Sequence, residues 1–265
     1  MKIMSENRQD KSKIVIKGEI DSWKSYAKAK NFDFCKFDGA VAFKSFLNSD
    51  VFNYAYVFDG SSKSILNKLQ DYYGSIPFKV FNHCSNAKRE NIFKESDYIF
   101  EETYVNMFID LKSINDTALT KENNLEVKLV KNIKELVSWT DVLSKGFEMP
   151  KNEIDVFANN LFEITNQQFF LVYSDTTPIS AGLSSICDEI AFIAYVATIP
   201  QKRRIGGCSM LINTALKEAK RNGCKFAALQ ASDMGKNVYQ KAGFEVIDND
   251  YIWKSPFYTS RAKHL

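Results

Sequence analysis

"ATIPQKRRIGGCSMLINTALKEAKRNG", Ala197 to Gly223, places two arginines and two glycines directly before an amphipathic run. Leu211, Ala215 and Ala219 share one stripe with Ile212 and Leu216 beside it, which predicts a helix. Lys220 and Arg221 suit its C-terminus, and Gly223 ends it. The start of such a helix has unpaired N–H groups and the positive end of the macrodipole, which together attract an anion. Glycines there let a ligand approach the backbone. The stretch reads as a phosphate seat.

Two phosphate loops fail on spacing. No part of the chain has G-x-x-x-x-G-K-[ST]. "GGCSML" lacks the G-x-G-x-x-G of a dinucleotide site and arrives late in its domain.

The elements around the stretch are legible. Upstream, "LEVKLV" (Leu125–Val130) alternates like a strand. Asn132 and Glu135 resemble a capping box before Ile133, Leu136, Val137, Thr140 and Leu143 at helical spacing. After "GFEMP" a second helix carries Ile154, Phe157, Ala158 and Leu161. Three strand-like runs follow, "QFFLVYS", "ISAGLSSI" and "IAFIAYVAT", with turns at Asp175–Pro178 and Asp188–Glu189. Downstream come a strand "KFAALQ", a helix "GKNVYQKAG" and a strand pair "FEVIDNDYIW". The order is β-α-α-β-β-β-α-β-α-β-β.

The N-terminal half repeats part of this. "NYAYVF", "SSKSILNKLQDYYG", "IPFKVF" and "FKESDYIFEETYVNMF" give strand, helix, strand, helix and strand pair. The last piece aligns without gaps on "YQKAGFEVIDNDYIWK", setting Phe93 against Tyr239, Tyr98 against Phe244 and Met107 against Trp253. The copies differ in chemistry. "FDGSSKS" stands where the other has "KRRIGGC", and Phe93 lacks the hydroxyl of Tyr239. The polar stretch Lys112–Asn124 reads as the linker, dividing the chain into domains 1–122 and 123–265.

The pattern R-x-x-G-x-[G/A] does fit the opening stretch, with a cysteine at its last small position. With "ASDMGKNVYQKAGF" after it, Leu125 to Lys254 resembles the GNAT superfamily of acyl-CoA-dependent N-acetyltransferases. The fold implied is α/β (α+β): two GNAT-like domains, each a mixed, mostly antiparallel central sheet flanked by helices. The N-terminal copy would be degenerate and the C-terminal copy catalytic. The resemblance implies acetyl-CoA as cofactor, its pyrophosphate held by the N–H groups of Arg203, Arg204, Ile205, Gly206, Gly207, Cys208 and Ser209. Val196, Ala197 and Thr198 would offer main-chain hydrogen bonds to pantetheine and the acetyl carbonyl. Tyr239 would protonate the departing thiolate, their ordinary pKa values of about 10 and about 8.5 being close enough for transfer.

The expected activity is N-acetyl transfer to a primary amine, small-molecule or peptide, by direct attack. A protonated amine needs a base. Some members keep a carboxylate inside the strand before the loop, a place that falls near Phe192 here. The nearest acids are Asp188, Glu189 and, in the "GFEMP" loop, Glu148; Glu189 is the candidate base, with a water chain as the alternative. The rival reading is a non-catalytic acyl-CoA-binding or protein-interaction module.

Composition narrows the rest. The chain has 265 residues, 45% hydrophobic and 25% charged, the balance of a globular protein with room for two cores. Lys+Arg 35 against Asp+Glu 32 gives +3, too weak for a nucleic-acid or anionic membrane partner, and "QKRR" has no aromatic platform. No signal-peptide pattern or long apolar run occurs, so a cytoplasmic monomer or homodimer is expected. Cys35, Cys84, Cys187, Cys208 and Cys224 are scattered and read as free, mostly buried thiols. With only His83 and His264, neither a Cys/His metal site nor a nucleophile–histidine pair is expected.

Overall fold

The computed structural model describes residues 2–58, 62–83, 86–114 and 124–256. Cys84, His264, Asp59–Ser61 and most of the expected linker lie outside those residues. In chain order the elements are α1 (Lys2–Tyr26), β1 (Asp33–Phe37), β2 (Ala40–Lys44), β3 (Asn53–Val57), α2 (Lys63–Tyr73), β4 (Lys79–His83), α3 (Ala87–Glu95) and β5 (Ile99–Asp110). There follow β6 (Leu125–Leu129), α4 (Ile133–Phe147), α5 (Lys151–Phe162), β7 (Gln167–Ser174), β8 (Thr177–Cys187) and β9 (Ile190–Thr198). The last are α6 (Gly207–Arg221), β10 (Phe226–Ala231), α7 (Asp233–Lys241) and β11 (Glu245–Lys254). Among the described residues no helix is long and apolar enough to cross a membrane.

The chain forms two compact units: Met1–Ser25 with Asn106–Ile247, and Tyr26–Val105 with Asp248–Leu265. This division differs from a cut at 122/123. The N-terminal helix groups with the larger unit, and β5 and β11 each pass from one unit into the other. Packing explains the helix. A Cβ on Gly18 would stand 2.9 Å from Ile190 Cγ2, so α1 lies directly on the start of β9. Val15 joins Phe108, Ile190, Phe192, Ala228 and Ile247 in one core.

In the larger unit the strand order is β6-β7-β8-β9-β10-β5. The first three pairings are antiparallel and β9 runs parallel to β10. That parallel pair needs a crossover helix, which α6 supplies. Asn132 caps α4 by accepting from the Glu135 N–H at 3.0 Å, and Glu135 returns the favour to the Lys131 N–H at 2.7 Å. The expected turns are present, with Asp175 and Asp188 left-handed at φ 54° and 51°.

In the smaller unit the order is β1-β2-β3-β4-β11. Here β3 and β4 are the parallel pair and α2 the crossover. Its core is aromatic: Tyr73 stacks on Phe78 at 4.0 Å and Phe93 on Trp253 at 4.9 Å.

Both expected strand pairs are single long strands, β5 and β11. "DND" in β11 has turn composition, yet Asp250 is fully buried and extended because Tyr56 and His83 hydrogen-bond its carboxylate.

The gapless alignment has a geometric counterpart. Tyr98 N–H donates to the Phe93 carbonyl at 3.0 Å past left-handed Asp97. Phe244 N–H donates to the Tyr239 carbonyl at 3.1 Å past left-handed Gly243. Both helices thus end in the same left-handed stop.

Candidate active site

The site is built on an irregularity in β9. From Cys187↔Ile190 to Leu183↔Ala194 its pairing with β8 is regular, and it resumes at Ala181↔Ala197. Gly182 alone therefore faces Tyr195 and Val196, a β-bulge. Tyr195 is left-handed at φ 51°, and its ring packs on Phe157 of α5 at 5.3 Å. Pairing with β10 ends at the same level. It runs from Ile190↔Phe226 to Ile193↔Leu229, while β9 continues to Thr198. Ile199 N–H donates to the Ile179 carbonyl at 3.0 Å. Antiparallel alternation then turns the Ala197 main chain toward β8 and the Thr198 main chain toward the side β10 has left.

The loop after β9 brings a helix start to this opening. A 3-10 turn at Pro200–Lys202 is closed by the Arg203 N–H on the Pro200 carbonyl at 3.3 Å. Arg204 and Gly206 are then left-handed at φ 67° and 94°. Gly206 caps α6 without a side-chain hydrogen bond, and Met210 N–H is the first to reach back to it, at 3.0 Å. The N–H groups of Gly206, Gly207, Cys208 and Ser209 have no hydrogen-bond partner among the described residues. They point outward at the positive helix end.

Gly207 is glycine for a packing reason as well. A Cβ there would lie 2.5 Å from Ser180 Oγ, which is buried and hydrogen-bonded to Thr198 Oγ1 at 2.9 Å. The first turn of α6 is thereby pressed against the end of β9. Gly146, near the end of α4, is equally tight, its would-be Cβ lying 2.7 Å from Ala197 Cβ. The exposed Arg203 guanidinium reaches the carbonyls of Thr198 and Gly146, each at 3.4 Å, while Arg204 and Ile205 face solvent.

Tyr239 on α7 is buried, its ring edge-on to Phe244 at 6.2 Å. Its hydroxyl has no hydrogen-bond partner among the described residues. Burial, and then the neighbouring Cys208 thiol, raise its pKa far above the ordinary tyrosine value. The helix that carries the phenol packs on α6, and the phenol stays protonated. Burial also pushes the Cys208 thiol up to about 11, so it is neutral and no nucleophile. The described cysteines are free thiols, but only Cys224 is buried; Cys35, Cys187 and Cys208 are half-buried.

The acids divide between the strand ends. Glu189 is exposed and ion-paired with Lys225. It precedes β9 at the end away from Thr198, roughly 25–30 Å distant at strand rise. Asp188 pairs with Lys17 at 3.1 Å at that same far end. Glu148 is at the near end, two residues past Gly146. It caps α4 in the left-handed region, its N–H held by the Ser144 carbonyl. The position the resemblance assigns to a strand carboxylate is filled by Phe192, which is buried in the core.

The bulge and the Ser180–Thr198 contact escape a reading of the sequence. "IAFIAYVAT" is uniformly strand-like, and its one warning is Gly182 in the neighbouring strand.

Residues 136–244 match the family model described as the acetyltransferase (GNAT) family. This segment is a GNAT domain. It runs from α4 to the turn before β11, so it contains every residue of the opening just described. Among solved structures, the chain is similar to a GCN5-related N-acetyltransferase from Kribbella flavida, with TM-score 0.66 and 13% identity over 90% of this chain and 95% of that one. Another, from Sphaerobacter thermophilus, gives 0.61 and 12% over 83% and 81%. A tandem GNAT protein from the clavulanic acid biosynthesis pathway gives 0.59 and 9% over 89% and 87%. At these identities the likeness is one of fold, and it extends well beyond the GNAT domain to most of the chain. No curated protein matches the sequence.

Proposed function

We propose that the GNAT domain transfers an acetyl group from acetyl-CoA to a primary amine. The observation that carries this reading is the row of unpartnered N–H groups at Gly206–Ser209, placed where β9 parts from β10. Four unpartnered donors at a helix start fit a pyrophosphate. Arg204 adds exposed charge, and Arg203 braces the loop as well as adding its own. Ile205 borders the seat. Val196 and Thr198 present main-chain groups for the pantetheine arm, with Ala197 as the wall behind them.

Bound acetyl-CoA would supply an acetyl group activated as a thioester. Main-chain N–H groups at the bulge stabilise the negative charge that builds on the acetyl oxygen. Tyr239 holds its proton toward the departing sulfur. Because its pKa is raised, it donates only as charge accumulates there. Glu148, the acid at this end of β9, takes the proton of the attacking ammonium, while Glu189 is too far away.

A second reading, a non-catalytic acyl-CoA-binding or interaction module, is favoured by one observation: β9 itself has no carboxylate. The smaller unit is the retired copy in either reading. Thermal melts with acetyl-CoA and calorimetric stoichiometry test the proposal. Saturation at a hundred times the dissociation constant adds about 2.7 kcal/mol. For a unit of this size that raises Tm by about 5–10 °C. One site per chain is the expected count. Two sites overturn the retired copy, and no binding overturns the transferase and leaves the interaction module.

A further inference from the structure

The smaller unit gathers ionisable groups around one buried carboxylate at the C-terminal end of β4. Asp250 of β11 is fully buried and opposite His83 in the β4/β11 ladder. Tyr56 from β3 donates its hydroxyl to the Asp250 carboxylate, 2.8 Å from each oxygen. His83 Nδ1 lies 2.8 Å from Asp250 Oδ1. On its other side, His83 Nε2 is 3.8 Å from Asp248 Oδ2. One imidazole thus bridges two aspartates two residues apart on the same strand. Arg89 of α3 donates to the His83 carbonyl at 2.9 Å and brings positive charge to this group.

The location is informative. Asp248 is the first residue of β11 counted with the smaller unit, and the strand up to Ile247 belongs to the larger one. We infer that His83 is a protonatable clasp that fastens the incoming end of the C-terminal strand to β4, and loosens it as pH rises. Protonated His83 satisfies both aspartates. Neutral His83 keeps a hydrogen bond to Asp250 but loses its charge attraction to both carboxylates.

The sign follows from the surroundings. Burial lowers the imidazolium pKa and Arg89 adds to that, but the hydrogen bond and charge of Asp250, with the charge of Asp248, outweigh both and raise it. A raised histidine pKa gives stability that is full below the unfolded value of about 6.5 and is lost as pH climbs through the folded value.

Amide hydrogen exchange of the full chain from pH 5.5 to 8.5, corrected for intrinsic rates, tests the clasp. Protection of the Asp250–Lys254 ladder should fall above about pH 6.5, by up to about tenfold for each unit of raised pKa. His83→Gln should give low, pH-independent protection there, and Asp248→Asn should shift the transition to lower pH. A flat wild-type profile, or His83→Gln matching wild type, overturns the proposal. Should His83→Gln fail to fold, the wild-type proton spectrum decides. The chain has two histidines, and Asp248→Asn identifies the resonance of His83. An imidazole titrating at or below the ordinary value in both proteins overturns the clasp.

Discussion

Phe93/Tyr98 in the smaller unit and Tyr239/Phe244 in the GNAT domain are the same edge-on aromatic pair with the hydroxyl on opposite members. The ring centroids lie 5.5 and 6.2 Å apart, and both pairs flank the same left-handed helix stop. The Tyr98 hydroxyl turns inward to the Leu66 carbonyl at 3.5 Å, whereas that of Tyr239 has no protein partner among the described residues. The strands beside them differ in the same sense. β3 pairs with β2 in unbroken register, and four of its five residues also pair with β4. β9 is bulged, and only its first four residues pair with β10. The same strand-helix-strand order thus occurs once with its strands zipped along their length and once with a bulged strand that runs on past its parallel partner.

The hydroxyl swap gives the largest expected effect. Tyr239→Phe should lower acetyl transfer about 10²–10³-fold while acetyl-CoA affinity by calorimetry stays within about twofold. Phe93→Tyr should confer no second activity. Turnover of Tyr239→Phe equal to wild type removes the tyrosine from its role.

Closing the opening beside β9 comes next. Gly207→Ala drives a methyl into Ser180 and should cost about 1–3 kcal/mol in urea unfolding, along with the thermal response to acetyl-CoA. Ser180→Gly in the same chain should restore most of both. Retained binding in the single variant means the helix start tolerates displacement.

The acids sharpen the comparison further. Glu148→Gln should reduce transfer about tenfold and Glu189→Gln should leave it unchanged. The reverse order returns the base to the far end of β9. The smallest effect is an absence. Because Tyr239 titrates above the ordinary value of about 10, transfer rates should show no fall from its ionisation between pH 7 and 10.

Much of the GNAT domain could be read from residues close in sequence. The stripe Leu211–Ala215–Ala219, the cap at Asn132 and the turns at Asp175 and Asp188 are local signals, and each forms where expected. What escaped is set by distant partners. The N-terminal polar segment folds as the 25-residue α1 because Val15, Trp23 and Tyr26 find cores to enter, not because its first turns are amphipathic. β11 runs straight through Asp-Asn-Asp because Tyr56 and His83, far away in the chain, satisfy Asp250. The site divides likewise. The helix start and Tyr239 were visible as motifs. The remoteness of Glu189 required knowing the direction of β9, and the bulge at Tyr195 leaves no mark within its own strand.

The exchange of β5 and β11 between units has a consequence for how the protein is made. The ribosome delivers Tyr26–Val105 before residues 106–247, but the strand that completes that unit follows them. Its ladder partner for β4 arrives only after the whole GNAT domain has been translated. Domains that finish in order of synthesis gain protection as they leave the tunnel. Here the smaller unit, begun before most of the larger one is made, is finished after it, and β4 waits as an unpaired edge while the residues between are translated. A nascent chain stalled before Asp248 would therefore display that edge, and chaperone capture at such stalls would be the signature of a unit whose closing strand is made only after the whole of its neighbour.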